Sequence, residues 1–170
     1  MIISIIVISI LGTLLHFTYE LSGNNKIVGL FSSVNESVWE HIKIAITPTI
    51  IWSLIDGFKY GHNPNYFTAK LVCLLLLIII IPLIYYLYKA ITKKDITIIN
   101  ILSFYIAIII SQYLFYYILR LNPVSYIIKY LSVLGLFIFF GCYLLLTLLA
   151  IRIELFKNPI NNKYGYERRN

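Results

Sequence analysis

Apolar positions along the chain fall into five long blocks, about 2–19, 42–58, 68–88, 96–119 and 125–151, separated by short polar stretches. Each block is close to the ~20 apolar residues that a helix needs to cross a bilayer core. In lipid every backbone polar group must be satisfied within the segment, so blocks of this length predict helices. The expected fold is an all-α integral membrane helical bundle of about five spans, with one transmembrane domain over 1–152 and a basic, flexible or headgroup-bound tail over 153–170.

Polar residues within the blocks refine this picture. The first block starts without a basic side chain and ends in H-F-T-Y-E, so it predicts a retained helix rather than a cleaved signal. Ser9, Thr13, His16 and Glu20 recur at helical spacing and predict a stripe turned toward other helices. Residues 21–31 hold Gly23, Asn24, Asn25 and Gly29 and predict a turn. Ser33-Val34-Asn35-Glu36 then fits the capping box S-x-x-E, with Ser33 as the cap and Glu36 closing the box. A helix continuing from there sets Glu36, Glu40, Lys43 and Thr47 on one face, where two carboxylates one turn apart repel unless a cation or shared proton intervenes. Pro48 deprives the Ile44 carbonyl of its helical donor and predicts a kink. The third block has almost no polar face, which predicts the most lipid-exposed or a scaffold-like helix. The fourth carries Asn100, Ser103, Ala107 and Ser111 on one face with Gln112 beside them, a helix-packing pattern.

Composition agrees with a membrane domain: the chain is 60% hydrophobic and 12% charged, against about 25% charged in soluble domains. The net charge of +7 sits at the ends of the apolar blocks, which suits topogenic signals and lipid headgroups and excludes a nucleic-acid surface. Cys73 and Cys142 lie inside apolar blocks and pair with no C-x-x-C motif. With five spans, ten Lys and Arg fall on the side of the 21–31 loop, the 89–95 loop and the tail, and four on the other. The positive-inside rule then predicts an outside N-terminus and a cytoplasmic C-terminus.

The candidate chemistry lies in Ser32–Lys43. His16, Glu20, Glu36, Glu40 and His41 are residue types that could ligate a divalent metal ion, with His16/Glu20 and Glu36/Glu40 each one helical turn apart. His16, Glu20, Glu40 and His41 are the candidates for catalytic or proton-relay roles. The alternative is a polar network in which Glu40 pairs with Lys43 or His16, while Ser33, Asn35, Trp39, Lys43 and Asn100 serve structure and Asn35 and Trp39 anchor the chain at the headgroups. Asp56, His62 and Arg120, at the other end, read as interfacial or paired. No H-E-x-x-H, G-x-S-x-G or glycine-rich phosphate loop is present. The function classes left open are a metal-dependent membrane hydrolase, a small transporter or transporter subunit, and a membrane scaffold for a partner protein or a second copy. A carrier would need a polar path from Glu40 to Asp56.

The residues H16-F-T-Y-E20, L21-S-G23 and G29-L-F-S-S-V-N-E-S-V-W-E-H-I-K43 resemble an uncharacterised bacterial family of small multi-pass membrane proteins, a domain of unknown function with the signature N-E-S-x-W-E-H-x-K. The resemblance implies an inner-membrane location and no activity. It places a proline where this chain has Ser33, which would move the cap.

Overall fold

The computed structural model describes residues 1–149 and 151–165. Position 150, inside the expected fifth block, and Arg168 and Arg169, counted among the cytoplasmic charges, lie outside the described residues. The helices are α1 (Ile2–Leu21), α2 (Lys26–Gly29), α3 (Val38–Tyr60), α4 (Tyr66–Thr92), α5 (Thr97–Ile118) and α6 (Tyr126–Leu149), followed by a 3-10 turn at Glu154–Phe156. The 21–31 stretch is more than a turn, because Asn25 Oδ1 accepts from the Ile27 N–H and caps the short α2.

Among the described residues four helices, α1, α4, α5 and α6, are long and apolar enough to cross a membrane, rather than the five or so expected. The helix that departs is α3. It has 23 residues, about 35 Å at 1.5 Å per residue, but it carries Glu40, Lys43 and Asp56. Its polar load goes with enclosure: most of Val38 through Thr49, and Asp56, are buried. Charged groups on a buried helix can be answered by protein partners, whereas lipid offers none.

Ile8, Ile42, Ala45, Ile46, Leu77, Ile81, Ala107 and Ile108 form a central apolar layer with at most 1% exposure. Helix α4 packs against α3, α5 and α6. It is therefore a central element, which fits the scaffold-like of the two roles expected from its composition. A continuous apolar run cannot reveal which neighbours it meets. The packing face of α5 is the one predicted, with Ser103, Ala107, Ser111 and Gln112 all buried.

Helix α1 meets α3 and α5 through Ser4, Ile8 and Gly12, one register away from the predicted polar stripe. Thr13 remains exposed, its hydroxyl donating to the Ser9 carbonyl and paired with Tyr105 Oη at 3.0 Å. Small residues let helix backbones approach closely, and Gly12 does so at a specific point. A Cβ there would lie 2.7 Å from the Ile44 carbonyl oxygen and 2.5 Å from Phe104 Cζ. That carbonyl is the one Pro48 leaves without a helical donor, and α3 continues through Pro48 as one helix. Gly12→Val is expected to lower stability by about 1–3 kcal/mol, the usual cost of overpacking. Thermal unfolding in detergent checks this, and an unchanged midpoint would show that α1 can move away from α3 freely.

Two clusters of connections define the ends of the bundle. At one end, the Ser33 N–H reaches the Leu15 carbonyl and Lys43 Nζ reaches the Gly29 carbonyl, joining α1, α2 and α3. At the other, Asn65, 1% exposed, donates to the carbonyls of Ile118, Leu121 and Asn122 and accepts from the Val124 N–H. Asn63 adds a bond to the Leu119 carbonyl. The α3–α4 turn is thereby tied to the α5–α6 turn, and α3 runs from one end to the other.

Candidate functional site

The segment between α2 and α3 is shaped by short side chains bonding to their own backbone. Asn35 Oδ1 accepts from the Ser37 N–H at 2.8 Å, an Asx-type turn, and Ser33 Oγ donates to the Asn35 carbonyl at 2.7 Å. The helix starts one turn later than the Ser33–Glu36 box predicts, with Ser37 as its N-cap. Ser33 and Glu36 therefore do not cap α3. The physical reason is that Asn35 and Ser33 satisfy the local backbone in a non-helical turn, which competes with helix.

Outside the helix, Glu36 is available to two imidazoles. Its Oε1 lies 3.4 Å from His16 Nε2 at the end of α1, and its Oε2 lies 3.9 Å from His41 Nε2 in the first turn of α3. The ring centroids of the two histidines are 6.0 Å apart. His41 Nδ1 is 3.0 Å from the Ser37 carbonyl, which can only accept, so Nδ1 carries a proton and Nε2 is presented to Glu36. The His16, His41 and Glu36 side chains are 27%, 13% and 36% exposed, so the group borders solvent. Glu20 adds negative charge near His16, and Asp95 does so near His41.

Glu40 belongs to a different unit. It pairs with Lys43 at 2.6 Å and accepts from the Val34 N–H at 2.9 Å. Lys43 Nζ also donates to the Gly29 carbonyl at 2.8 Å, and both side chains are almost fully buried. Of the two pairings open to Glu40, the structure has the one with Lys43; His16 goes to Glu36. This unit fastens α2 and the 30–37 segment to α3.

Asn100 also stands apart from the histidines. It donates to Asp95 Oδ1 and accepts from Tyr88, while Tyr85 donates to Asp95 Oδ2. Lys89 Nζ donates to Tyr85 Oη, completing a network that secures the α4–α5 connection. Asp95 was not singled out in the sequence. The available signal was Tyr85 and Tyr88, one turn apart, facing an Asp and an Asn across a tight loop.

Trp39 is 2% exposed, with the ring centroids of Tyr143 at 6.2 Å and Phe156 at 5.0 Å. Its Nε1 has no hydrogen-bond partner among the described residues. Phe156 comes from the tail, which folds back onto the start of α3 instead of hanging free. Asn158, 4% exposed, organises the turn by accepting from the Ile160 N–H, and Lys157 bridges to Tyr164. Asn35 Nδ2 then donates to the Gly165 carbonyl at 3.0 Å. Asn35 is thus a tie to the tail.

At the far end, Asp56 Oδ2 pairs with Lys70 Nζ at 2.8 Å, both buried. Tyr116 donates to Asp56 Oδ1 at 3.3 Å, and Lys70 Nζ sits 3.9 Å from the Phe115 ring centroid. Gln112 Nε2 contacts Cys73 Sγ at 3.4 Å, and its Oε1 has no partner among the described residues. Along α3 the two charged ends are separated by buried Ile44, Ala45 and Ile46 and then by buried Thr47 and Thr49, whose hydroxyls pair with Tyr143 Oη and the Ala45 carbonyl.

Among the described residues no three His, Cys, Asp or Glu side chains form a group that could hold a metal ion. The arrangement of His16, Glu36 and His41 suits a different task. A carboxylate between two imidazoles, one of them with its tautomer set by a backbone carbonyl, can accept, share and donate protons near neutral pH. A model of a family of unknown function, DUF6512, matches residues 1–166. No curated protein and no solved structure matches the chain.

Proposed function

Taking as premise that the chain belongs to DUF6512, a family of unknown function, we propose that it is a multi-pass protein of a bacterial inner membrane with an acid–base site at its cytoplasmic end. The observation that carries the reading is Glu36 lying between the Nε2 atoms of His16 and His41 in a partly exposed position. In this reading α3 crosses the membrane as an inner helix, its Glu40 and Asp56 answered by Lys43 and Lys70. Ion pairs facing the bundle interior are the form in which charge is tolerated at membrane depth. Lys43 and Lys70 then drop out of the orientation count, leaving nine basic residues against three, and the tail side remains cytoplasmic. The apolar layer between the ends favours chemistry served from one aqueous side over a carrier path through the bundle.

Histidine side-chain NMR on protein in nanodiscs tests the site. His16 and His41 are expected to titrate as a coupled pair. Glu36→Gln should uncouple them. Two independent titrations in the unsubstituted protein would refute the acid–base reading. Orientation is checked in a Cys73→Ala, Cys142→Ala background with cysteine placed at exposed His62 or Lys94. An impermeant maleimide added to intact cells should label position 62 and reach position 94 only after permeabilisation; the reverse pattern would invert the topology.

A further inference from the structure

The tail and the acid–base site share one short piece of chain. Asn35 is bonded through Oδ1 to the Ser37 N–H and through Nδ2 to the Gly165 carbonyl, and the next residue is Glu36. The tail is itself held by Phe156, 3% exposed, whose ring lies tilted against Trp39 with centroids 5.0 Å apart. Trp39 lies in the first turn of α3, two residues before His41. Both ends of the described tail therefore grip the segment that presents Glu36 and His41.

We infer that docking of residues 151–165 holds Glu36 between the two histidines, so that release of the tail opens the site. The inference rests on the acid–base reading and adds a control element to it. Three features make the tail separable from the bundle. Arg152 and Ile153, which lead into it, are exposed. Its internal order is its own, built on the Asn158 turn and the Lys157–Tyr164 bridge. It meets the 34–39 segment through a tilted aromatic pair and an amide hydrogen bond, with Leu155 and Tyr164 packed against the neighbouring core. Without the tail, Asn35 loses a hydrogen-bond partner and Trp39 loses the ring that covers it. The 34–37 turn then keeps its local bonds and the Val34 N–H contact to Glu40, and loses the bond that fixes the Asn35 amide beside Glu36.

A protease site placed at Arg152–Ile153 allows the tail to be cut after the protein has folded, so the test does not depend on folding without it. Trp52→Phe leaves Trp39 as the only tryptophan, and its emission reports docking. After cleavage in nanodiscs and washing, Trp39 is expected to become accessible to iodide, and His16 and His41 to lose their coupled titration. Phe156→Ala in the uncut chain should do the same, and Phe156→Leu should restore both signals toward those of the original protein. Exposure of Trp39 with the coupled titration intact would overturn the inference while leaving the acid–base reading standing. Trp39 remaining shielded after cleavage and in Phe156→Ala would also overturn it. If the coupled titration is absent before cleavage, the acid–base reading fails and the inference falls with it.

Discussion

Glu40→Ala is expected to cost about 3–5 kcal/mol of stability, the usual penalty for removing one member of a buried ion pair. The substitution leaves Lys43, 1% exposed, without its carboxylate, and it also leaves the Val34 N–H without an acceptor. The pair cannot be replaced by an apolar one without loss. Many buried ion pairs can be exchanged for hydrophobic residues at little cost, but here each charge serves a backbone group as well. In Glu40→Leu with Lys43→Met, the Gly29 carbonyl loses its donor and the Val34 N–H its acceptor. A buried polar group left unsatisfied costs about 1–3 kcal/mol. The double variant should therefore remain well below the original protein in thermal or denaturant unfolding. A double variant as stable as the original would show that these backbone groups find other partners.

The same region shows where the sequence was legible and where it was not. Long apolar blocks located α1, α4, α5 and α6 to within a few residues, because a membrane-length hydrophobic run leaves few alternatives to a helix. The start of α3 was ambiguous for a local reason. Ser33…Glu36 and Ser37…Glu40 both fit S-x-x-E, so the pattern alone could not choose between them. The helix begins after the second serine, and Glu40 turns back to the Val34 N–H. With that start come contacts to Lys43, Gly29 and the tail, all of which lie outside the four-residue pattern. The candidate site was legible as a set of residue types, including His16, Glu36 and His41. Its pairing was not, because helical spacing was applied to Glu36, which lies outside the helix. The docking of Phe156 was missed for the opposite reason: a lone aromatic in a polar tail has no periodicity, and its meaning lies in Trp39, more than a hundred positions away.

At the other end of the bundle, Asp56→Ala should also cost about 3–5 kcal/mol, since it strands Lys70 in a buried position. The surroundings differ from those of Glu40, and so does the expected behaviour of the double variant. Lys70 has the Phe115 ring as its other neighbour, and Asp56 has a long hydrogen bond from Tyr116. Among the described residues neither charged group satisfies a backbone donor or acceptor outside its own helix. Asp56→Leu with Lys70→Met therefore removes the desolvated charges together, with only the Tyr116 hydroxyl losing a partner among these contacts. Most of the loss should be recovered, and the double variant should unfold close to the original protein. Unfolding curves of the two single variants and the double variant give the coupling energy directly. If the double variant is as unstable as Asp56→Ala alone, the pair has partners beyond those described, and the neighbouring Gln112 Oε1, which has no partner among the described residues, is the first place to look for them. Recovery at this end and none at the Glu40 end would separate an ion pair that joins α3 to α4 from one that also supports the backbone beneath the histidine site.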